Sequence, residues 1–128
     1  MSRRATNPER GLSRPNEPAV LILTSLATGI KHGYALAKDI EAFAGVTLGP
    51  GTLYGAITRL EERGLIEPVP GDDRRRPYRL TPAGRTALSS VVRELRVIAD
   101  VGAARLGLGA LVGVLAPRAA PGRPGWSW

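Results

Sequence analysis

The chain has 128 residues, of which 43% are hydrophobic and 5% aromatic. This length fits one domain with loose ends, because a typical domain has roughly 100–200 residues. The chain has no cysteine, which excludes disulfides, thiolate metal sites and cysteine nucleophiles. Its formal net charge of +7 favours a polyanionic partner, either a nucleic acid or an anionic membrane surface.

The two ends of the chain show no membrane or export pattern. The N-terminal stretch has no apolar core of the kind that a signal peptide needs. The most apolar stretch, Leu106 to Ala116, is shorter than the about 20 residues that span a bilayer. We therefore expect a soluble cytoplasmic protein without a membrane partner.

Residues 1–16 carry four arginines and one glutamate. They predict a flexible basic arm that either touches nothing or reaches DNA.

Hydrophobic periodicity predicts two helices after this arm. The first runs from Glu17 to about Thr28, with Asn16 as N-cap and Gly29 as its stop. The second runs from Gly33 to Ala44. Its apolar face consists of Leu36, Ala37, Ile40 and Phe43.

A third helix is predicted from Pro50 to Arg63. Proline is tolerated in the first turn, where its missing N–H has no partner to lose, and Gly64 is suited to end the helix. The predicted buried stripe of this helix consists of Leu53, Ala56, Ile57 and Leu60.

Two short strands and a long helix complete the pattern. The strands span Leu65 to Val69 and Pro77 to Leu80, and a charged loop joins them. Thr81 is the predicted N-cap of a fourth helix that reaches about Leu106. Its apolar residues follow a spacing close to a heptad and predict a homodimer seam, because a lone helix could not bury them. The seam residues are Leu88, Val91, Val92, Leu95 and Ile98.

This order of elements predicts a mainly α-helical winged helix-turn-helix fold with a small β-wing. In that fold the third helix enters the major groove of DNA, which is about 12 Å wide. The face opposite its buried stripe carries the small or polar residues that such an approach needs. The DNA-contacting residues predicted on this helix are Pro50, Gly51, Thr52, Tyr54, Gly55, Thr58 and Arg59.

Two of these side chains have a structural alternative. Tyr54 lies at the border of the two faces, so its hydroxyl either contacts a phosphate or its ring is only a half-buried packing group. Arg59 either contacts DNA or forms a solvated pair with Glu61 or Glu62.

The loop between the strands carries the remaining predicted contacts. Arg74, Arg75 and Arg76 suit binding to phosphates, a contact that positions the protein without reading sequence. Asp72 and Asp73 oppose part of this charge.

Four segments resemble the PadR family of transcriptional regulators. They are HGYAL (32–36), GTLY (51–54), LEERGLI (60–66) and RPYRLTPAG (76–84), and they occur in the order and spacing of that family. The resemblance covers roughly residues 19–88. It implies a winged helix-turn-helix repressor that dimerises through its C-terminal helix. It also implies binding to a palindromic operator in double-stranded DNA and release by a small-molecule effector.

The chain departs from the family pattern at three places. Gly49 stands where a serine often caps the recognition helix, and Ala35 stands where an acidic residue is common. The dimer helix lacks the tryptophan with which some relatives bind flat aromatic effectors. Trp126 and Trp128 lie in the tail instead.

The resulting division of the chain has four parts. These are the arm (1–16), the winged helix-turn-helix domain (17–81), the dimerisation helix (82–107) and a Gly-, Ala- and Pro-rich tail expected to be disordered (108–128).

An enzyme is not expected, because no catalytic, metal or cofactor motif is found. The single histidine, His32, suits capping or packing. The remaining alternative is a winged helix that binds a protein and not a specific DNA.

Overall fold

The computed structural model describes residues 16–70 and 76–108. Its elements are α1 (Pro18–Leu26), β1 (Lys31–His32), α2 (Gly33–Ala44), α3 (Pro50–Glu62), β2 (Ile66–Pro68), β3 (Pro77–Leu80) and α4 (Pro82–Leu106). This order confirms the predicted winged helix-turn-helix fold. The predicted arm up to residue 15, Arg74, Arg75 and the predicted tail from residue 109 onward lie outside the described residues.

Helix α1 is the centre of the core. It is buried almost all round, because apolar residues occupy nearly every position. The predicted Asn16 cap is wrong, since Glu17 is the N-cap and makes no side-chain capping bond. Pro18 starts the helix one residue later than predicted, because it suits the first turn without a side-chain cap. The buried residues are Val20, Leu21, Ile22, Leu23, Ser25 and Leu26.

A lysine closes the C-terminal end of α1. The helix ends at Leu26, two residues before the predicted Thr28. The Lys31 Nζ donates to the Ser25 carbonyl at 2.6 Å and to the Thr28 hydroxyl at 2.9 Å. A cation there satisfies a helix-end carbonyl and complements the negative end of the helix dipole.

The sheet has three antiparallel strands in the order β1-β3-β2. The two predicted strands pair as expected, with Ile66 opposite Leu80. The short strand β1 was not predicted. It places Lys31 opposite Tyr78 and His32 opposite Pro77, so it holds the start of α2 beside the wing.

Helix α2 begins and ends as predicted. The His32 Nδ1 accepts a hydrogen bond from the Ala35 N–H at 3.4 Å, which confirms the capping role of this histidine. Gly45 ends the helix at φ 69°, a conformation that suits glycine. Leu36 and Ile40 are buried, but Phe43 is 47% exposed. Phe43 was therefore wrongly assigned to the core-facing stripe, because this stripe ends one turn before the helix does.

The start of α4 is joined to the end of α3. The Thr81 hydroxyl accepts from the Gly84 N–H at 3.0 Å and donates to the Gly64 carbonyl at 2.6 Å. This confirms Thr81 as the predicted cap. Gly84 packs against the Leu65 backbone, where an added Cβ would overlap the Leu65 carbonyl oxygen.

The chain divides into two compact units at Val92 and Arg93, within α4. In the first unit, Leu88 and Val91 are buried core residues of a single chain. This corrects the reasoning for these two seam residues, since they need no partner to be buried. In the second unit, α4 ends at Leu106, and the following Gly107 has a φ of 79°. Its final turn is closed by a bond from the Leu108 N–H to the Ala103 carbonyl at 2.6 Å.

Among the described residues, no helix is both long and apolar enough to cross a membrane.

Candidate nucleic-acid interface

Helix α3 packs on α1 and α2 through the stripe that its sequence predicts. Leu53, Ala56, Ile57 and Leu60 are all at most 3% exposed. This burial fixes which face of the helix remains on the surface. A buried Leu or Ile contributes about 1.5–3 kcal/mol, so the orientation of α3 is strongly determined.

The exposed face of α3 is lined by small residues along its centre. Gly51, Gly55 and Thr58 follow one another at helical spacing, and none of them is buried. A Cβ at Gly51 would meet nothing within 4 Å, and one at Gly55 would meet only the Arg59 guanidinium at 3.5 Å. Neither glycine has positive φ. Glycine costs about 1 kcal/mol against alanine in a helix, and no contact among the described residues requires it here.

Tyr54 is partly exposed and also packs on the scaffold, as the packing alternative predicts. It is 50% exposed, yet its ring lies against Gly33 at the start of α2. A Cβ at Gly33 would lie 2.7 Å from the Tyr54 Cζ and would overlap the hydroxyl. The glycine of the HGYAL segment therefore makes room for this phenol, which bridges α3 and α2.

The other predicted residues of α3 are also on the surface. Pro50, Thr52 and Arg59 are exposed. The Thr58 hydroxyl donates to the Tyr54 carbonyl at 2.9 Å, so its proton is used within the helix. The side chain can then offer an outside partner its methyl group or its oxygen lone pairs.

The N-terminal end of α3 is open. Gly49 is the N-cap and provides no side-chain bond, as its residue type predicts. The first N–H groups of a helix lack internal partners, and they carry the positive end of the helix dipole. This end can accept an anionic oxygen without displacing a capping side chain.

The wing packs beside α3 through β2. Burial raises the pKa of the Tyr78 hydroxyl above its usual 10.0. The Arg76 charge opposes this rise, while Glu61 and the Tyr54 phenol add to it. Arg76, Glu61 and Tyr54 therefore all act on the Tyr78 hydroxyl, and Arg76 itself is exposed.

The wing strands are held together by a surface ion pair. The Arg79 Nε donates to the Glu67 Oε2 at 2.7 Å, and both side chains are about half exposed. Such a pair contributes at most about 1 kcal/mol, and it engages Arg79 away from any outside anion.

The structure therefore gathers eight of the ten predicted DNA-contacting residues on two neighbouring elements. Seven lie on α3 and the eighth is Arg76, directly before β3, while Arg74 and Arg75 lie outside the described residues.

Sequence reasoning overlooked a pair on α2, where Tyr34 is 67% exposed and the Lys38 Nζ lies 5.9 Å from its ring centroid. Their spacing of four residues, an aromatic followed by a cation, is a pattern that could have shown the pair.

No group of three or more potential metal ligands occurs within residues 16–70 and 76–108. The arrangement places hydroxyl groups and the Arg59 guanidinium on the exposed face of α3. These features define a winged-helix protein whose third helix is presented to an outside partner.

Comparison with known families identifies the group. Residues 22–90 match the model of the transcriptional regulator PadR-like family. The match covers the second half of α1, all of α2 and α3, the wing and the start of α4. The chain therefore belongs to the PadR-like family, a family of transcriptional regulators.

Individual relatives agree with this assignment. A transcriptional regulator of Mycobacterium tuberculosis, Rv3488, is 40% identical over 81 residues, which are 61% of this chain and 75% of that protein. An uncharacterized 37.1 kDa protein in transposon TN4556 of Streptomyces fradiae is 49% identical over 75 residues, which are 59% of this chain. The chain matches only 22% of the length of that Streptomyces protein.

The fold has solved counterparts. A PadR family transcription regulator from Clostridium difficile superposes with a TM-score of 0.63 and 29% sequence identity. The match covers 70% of this chain and 97% of that structure. The mainly helical fold with its small antiparallel wing is therefore that of a PadR-type regulator.

Proposed function

We propose that this protein is a homodimeric repressor that binds a specific palindromic site in double-stranded DNA. One observation carries the proposal. Helix α3 has a fully buried apolar stripe and an opposite face of small and polar residues, two of which are glycines that the fold does not require. A surface of this kind lets a helix backbone approach a base-pair edge closely.

The chemistry of α3 suits the major groove. The groove admits one helix, and its base edges offer hydrogen-bond acceptors, donors and thymine methyl groups. Thr52 and Thr58 provide short polar side chains with a methyl group, and Arg59 provides a guanidinium that suits guanine. We assign sequence reading to these residues. Arg76 and the neighbouring Arg74 and Arg75 are assigned to phosphates.

The dimer rests on the exposed apolar residues of α4. Ile98 is 69% exposed and Leu106 is 75% exposed in the single chain, and Val97 and Val101 are also exposed. With Val92 and Leu95 they form an apolar surface that a second copy of the helix can cover. This replaces the predicted seam by one that starts after the buried Leu88 and Val91.

Repression follows from occupancy. A dimer on a palindromic site covers about two helical turns of DNA and blocks other proteins from the same base pairs. Family resemblance supports release by a small molecule. An effector that stacks on a tryptophan of the dimer helix is not proposed, because α4 contains none.

A binding assay across a salt series tests the proposal. The purified chain is incubated with genomic fragments and with a random duplex at increasing salt. We expect a preferred fragment, and we expect the logarithm of the binding constant to fall linearly with the logarithm of salt concentration.

The alternative is a winged helix that binds a protein. Binding without a salt dependence and without a sequence preference would contradict the repressor proposal and favour that alternative.

A further inference from the structure

Tyr34 and Lys38 form an exposed pair on the first turns of α2, outside the surface described so far. Tyr34 is 67% exposed, so its ring adds little to the core. The Lys38 Nζ lies 5.9 Å from the centroid of that ring, within the range of a cation–π contact. The ring therefore supports a cation at a defined place on the surface.

The two lysines of the chain differ in how they are used. Lys31 is engaged at the end of α1, where its ammonium donates to Ser25 and Thr28. Lys38 instead rests on an exposed aromatic face. Its charge is thus held near the surface by the ring, where an outside anion can reach it.

The acidic residues of α2 are engaged elsewhere. The Ser25 hydroxyl donates to the Asp39 Oδ2 at 2.6 Å, which turns this carboxylate toward α1. The Thr47 hydroxyl donates to the Glu41 Oε2 at 3.4 Å, near the far end of α2. The N-terminal turns of α2 therefore present a cation and a phenol.

The position of the pair links the two parts of the DNA surface. Gly33, which precedes Tyr34, contacts the Tyr54 ring of α3. His32, one residue earlier, is paired with Pro77, which follows the wing residue Arg76. The start of α2 is thus adjacent both to α3 and to the wing.

We propose that Tyr34 and Lys38 bind the DNA sugar-phosphate backbone beside the groove that α3 enters. This inference rests on the proposed function and adds a third element to the interface. The Tyr34 hydroxyl donates to a phosphate oxygen, and the Lys38 ammonium neutralises the charge of a phosphate. Such contacts set the position of the protein on the duplex and carry no sequence information.

The test separates charge from hydrogen bonding. Fluorescence anisotropy measures binding of a labelled random-sequence duplex to the full chain across a salt series, for Lys38→Gln and for Tyr34→Phe. Lys38→Gln removes one phosphate contact, so the salt slope decreases by about 0.9. Tyr34→Phe removes one hydrogen bond, so affinity falls about 2- to 12-fold while the slope is unchanged.

Arg85→Gln is the matched control. Arg85 is exposed on α4 and its substitution removes the same unit of charge. We expect it to leave the slope and the affinity close to those of the unmodified chain. Thermal melting of all three variants checks that each one is folded.

Three results would overturn the inference. If the unmodified chain shows a salt slope that Lys38→Gln retains, the pair does not touch phosphate although the proposed function stands. If both variants instead lose binding to an acidic protein and keep full DNA affinity, the pair binds a protein and the inference also fails. A chain without any salt-dependent DNA binding would instead overturn the proposed function itself, and this inference with it.

Discussion

Helices α3 and α4 each carry one continuous apolar stripe, but they bury it to different extents. In α3 the stripe is buried along its whole length, from Leu53 to Leu60. In α4 the stripe is buried at Leu88 and Val91, then becomes exposed at Ile98 and Leu106. Both patterns follow helical spacing, so periodicity alone does not distinguish them.

The difference separates two surfaces by the kind of partner that each one suits. The apolar side of helix α3 is buried within the chain. Its exposed face is polar, with glycines along the centre. The apolar side of α4 after residue 92 is exposed in the single chain. A polyanion suits the first surface and an apolar copy of the same helix suits the second.

The largest expected effect comes from Ile98→Glu. A charge on the exposed seam opposes dimer burial but disturbs no core contact of the single chain, because Ile98 is 69% exposed there. We expect monomers by analytical ultracentrifugation. Loss of the second half-site contact should weaken specific DNA binding about 10²- to 10⁴-fold.

Ser89→Glu is the control for this change. Ser89 is exposed and lies nine residues before Ile98, on the opposite side of α4. The same charge there should leave both the dimer and DNA binding intact. A dimeric Ile98→Glu protein would show that the seam lies elsewhere.

Leu88→Ala examines the buried part of the same stripe. Because Leu88 is a core residue of one chain, its truncation should lower the free energy of unfolding by about 2–5 kcal/mol. Urea denaturation at a dilution where the chain is monomeric gives this value. Ile98→Ala measured beside it should change stability by less than about 0.5 kcal/mol. Equal losses of unfolding free energy for Leu88→Ala and Ile98→Ala would contradict the view that only the first part of α4 is buried in the single chain.

Gly55→Ala should move stability and DNA binding in opposite directions. The new methyl group meets no close contact in the chain, so helix propensity should raise the free energy of unfolding by up to about 1 kcal/mol. The same methyl group would stand between α3 and the base edges. We expect about tenfold weaker operator binding, measured by anisotropy. For comparison, Ser89→Ala should stabilise slightly and leave DNA affinity unchanged.

The smallest effect concerns pH and the wing. Burial raises the folded-state pKa of Tyr78, so folding favours its neutral form. Its contribution to stability is complete below the unfolded pKa and is lost as pH rises past about 10 toward the folded value. Denaturation of the unmodified chain and of Tyr78→Phe should therefore show a constant difference up to that pH. Above it, the difference should turn against the unmodified chain.

Much of α3 was predictable because its apolar residues are clearly periodic and its ends are marked by proline and glycine. The same holds for the Thr81 cap, which needs only a local hydroxyl near the start of α4. The wing was predictable as well, because a charged loop separates two short alternating segments. These features depend on contacts between residues that are near in sequence.

The missed features depend on distant contacts. Strand β1 has two residues, lysine and histidine, and exists because β3 offers it a partner more than 40 residues later. The burial of Leu88 reflects the close approach of α4 to the Leu65 backbone, which only Gly84 permits. Phe43 is exposed although its spacing continues that of the buried Leu36 and Ile40. Periodicity specifies a face but not the length over which it is covered.

Hydroxyl-radical footprinting on a duplex selected by the unmodified chain tests the central claim most directly. The account predicts two protected patches, related by two-fold symmetry, with centres about 34–36 Å apart along the duplex. This pattern is expected if two α3 helices of one dimer read two half-sites. A single protected patch at saturating protein, or uniform protection without a preferred position, would contradict it.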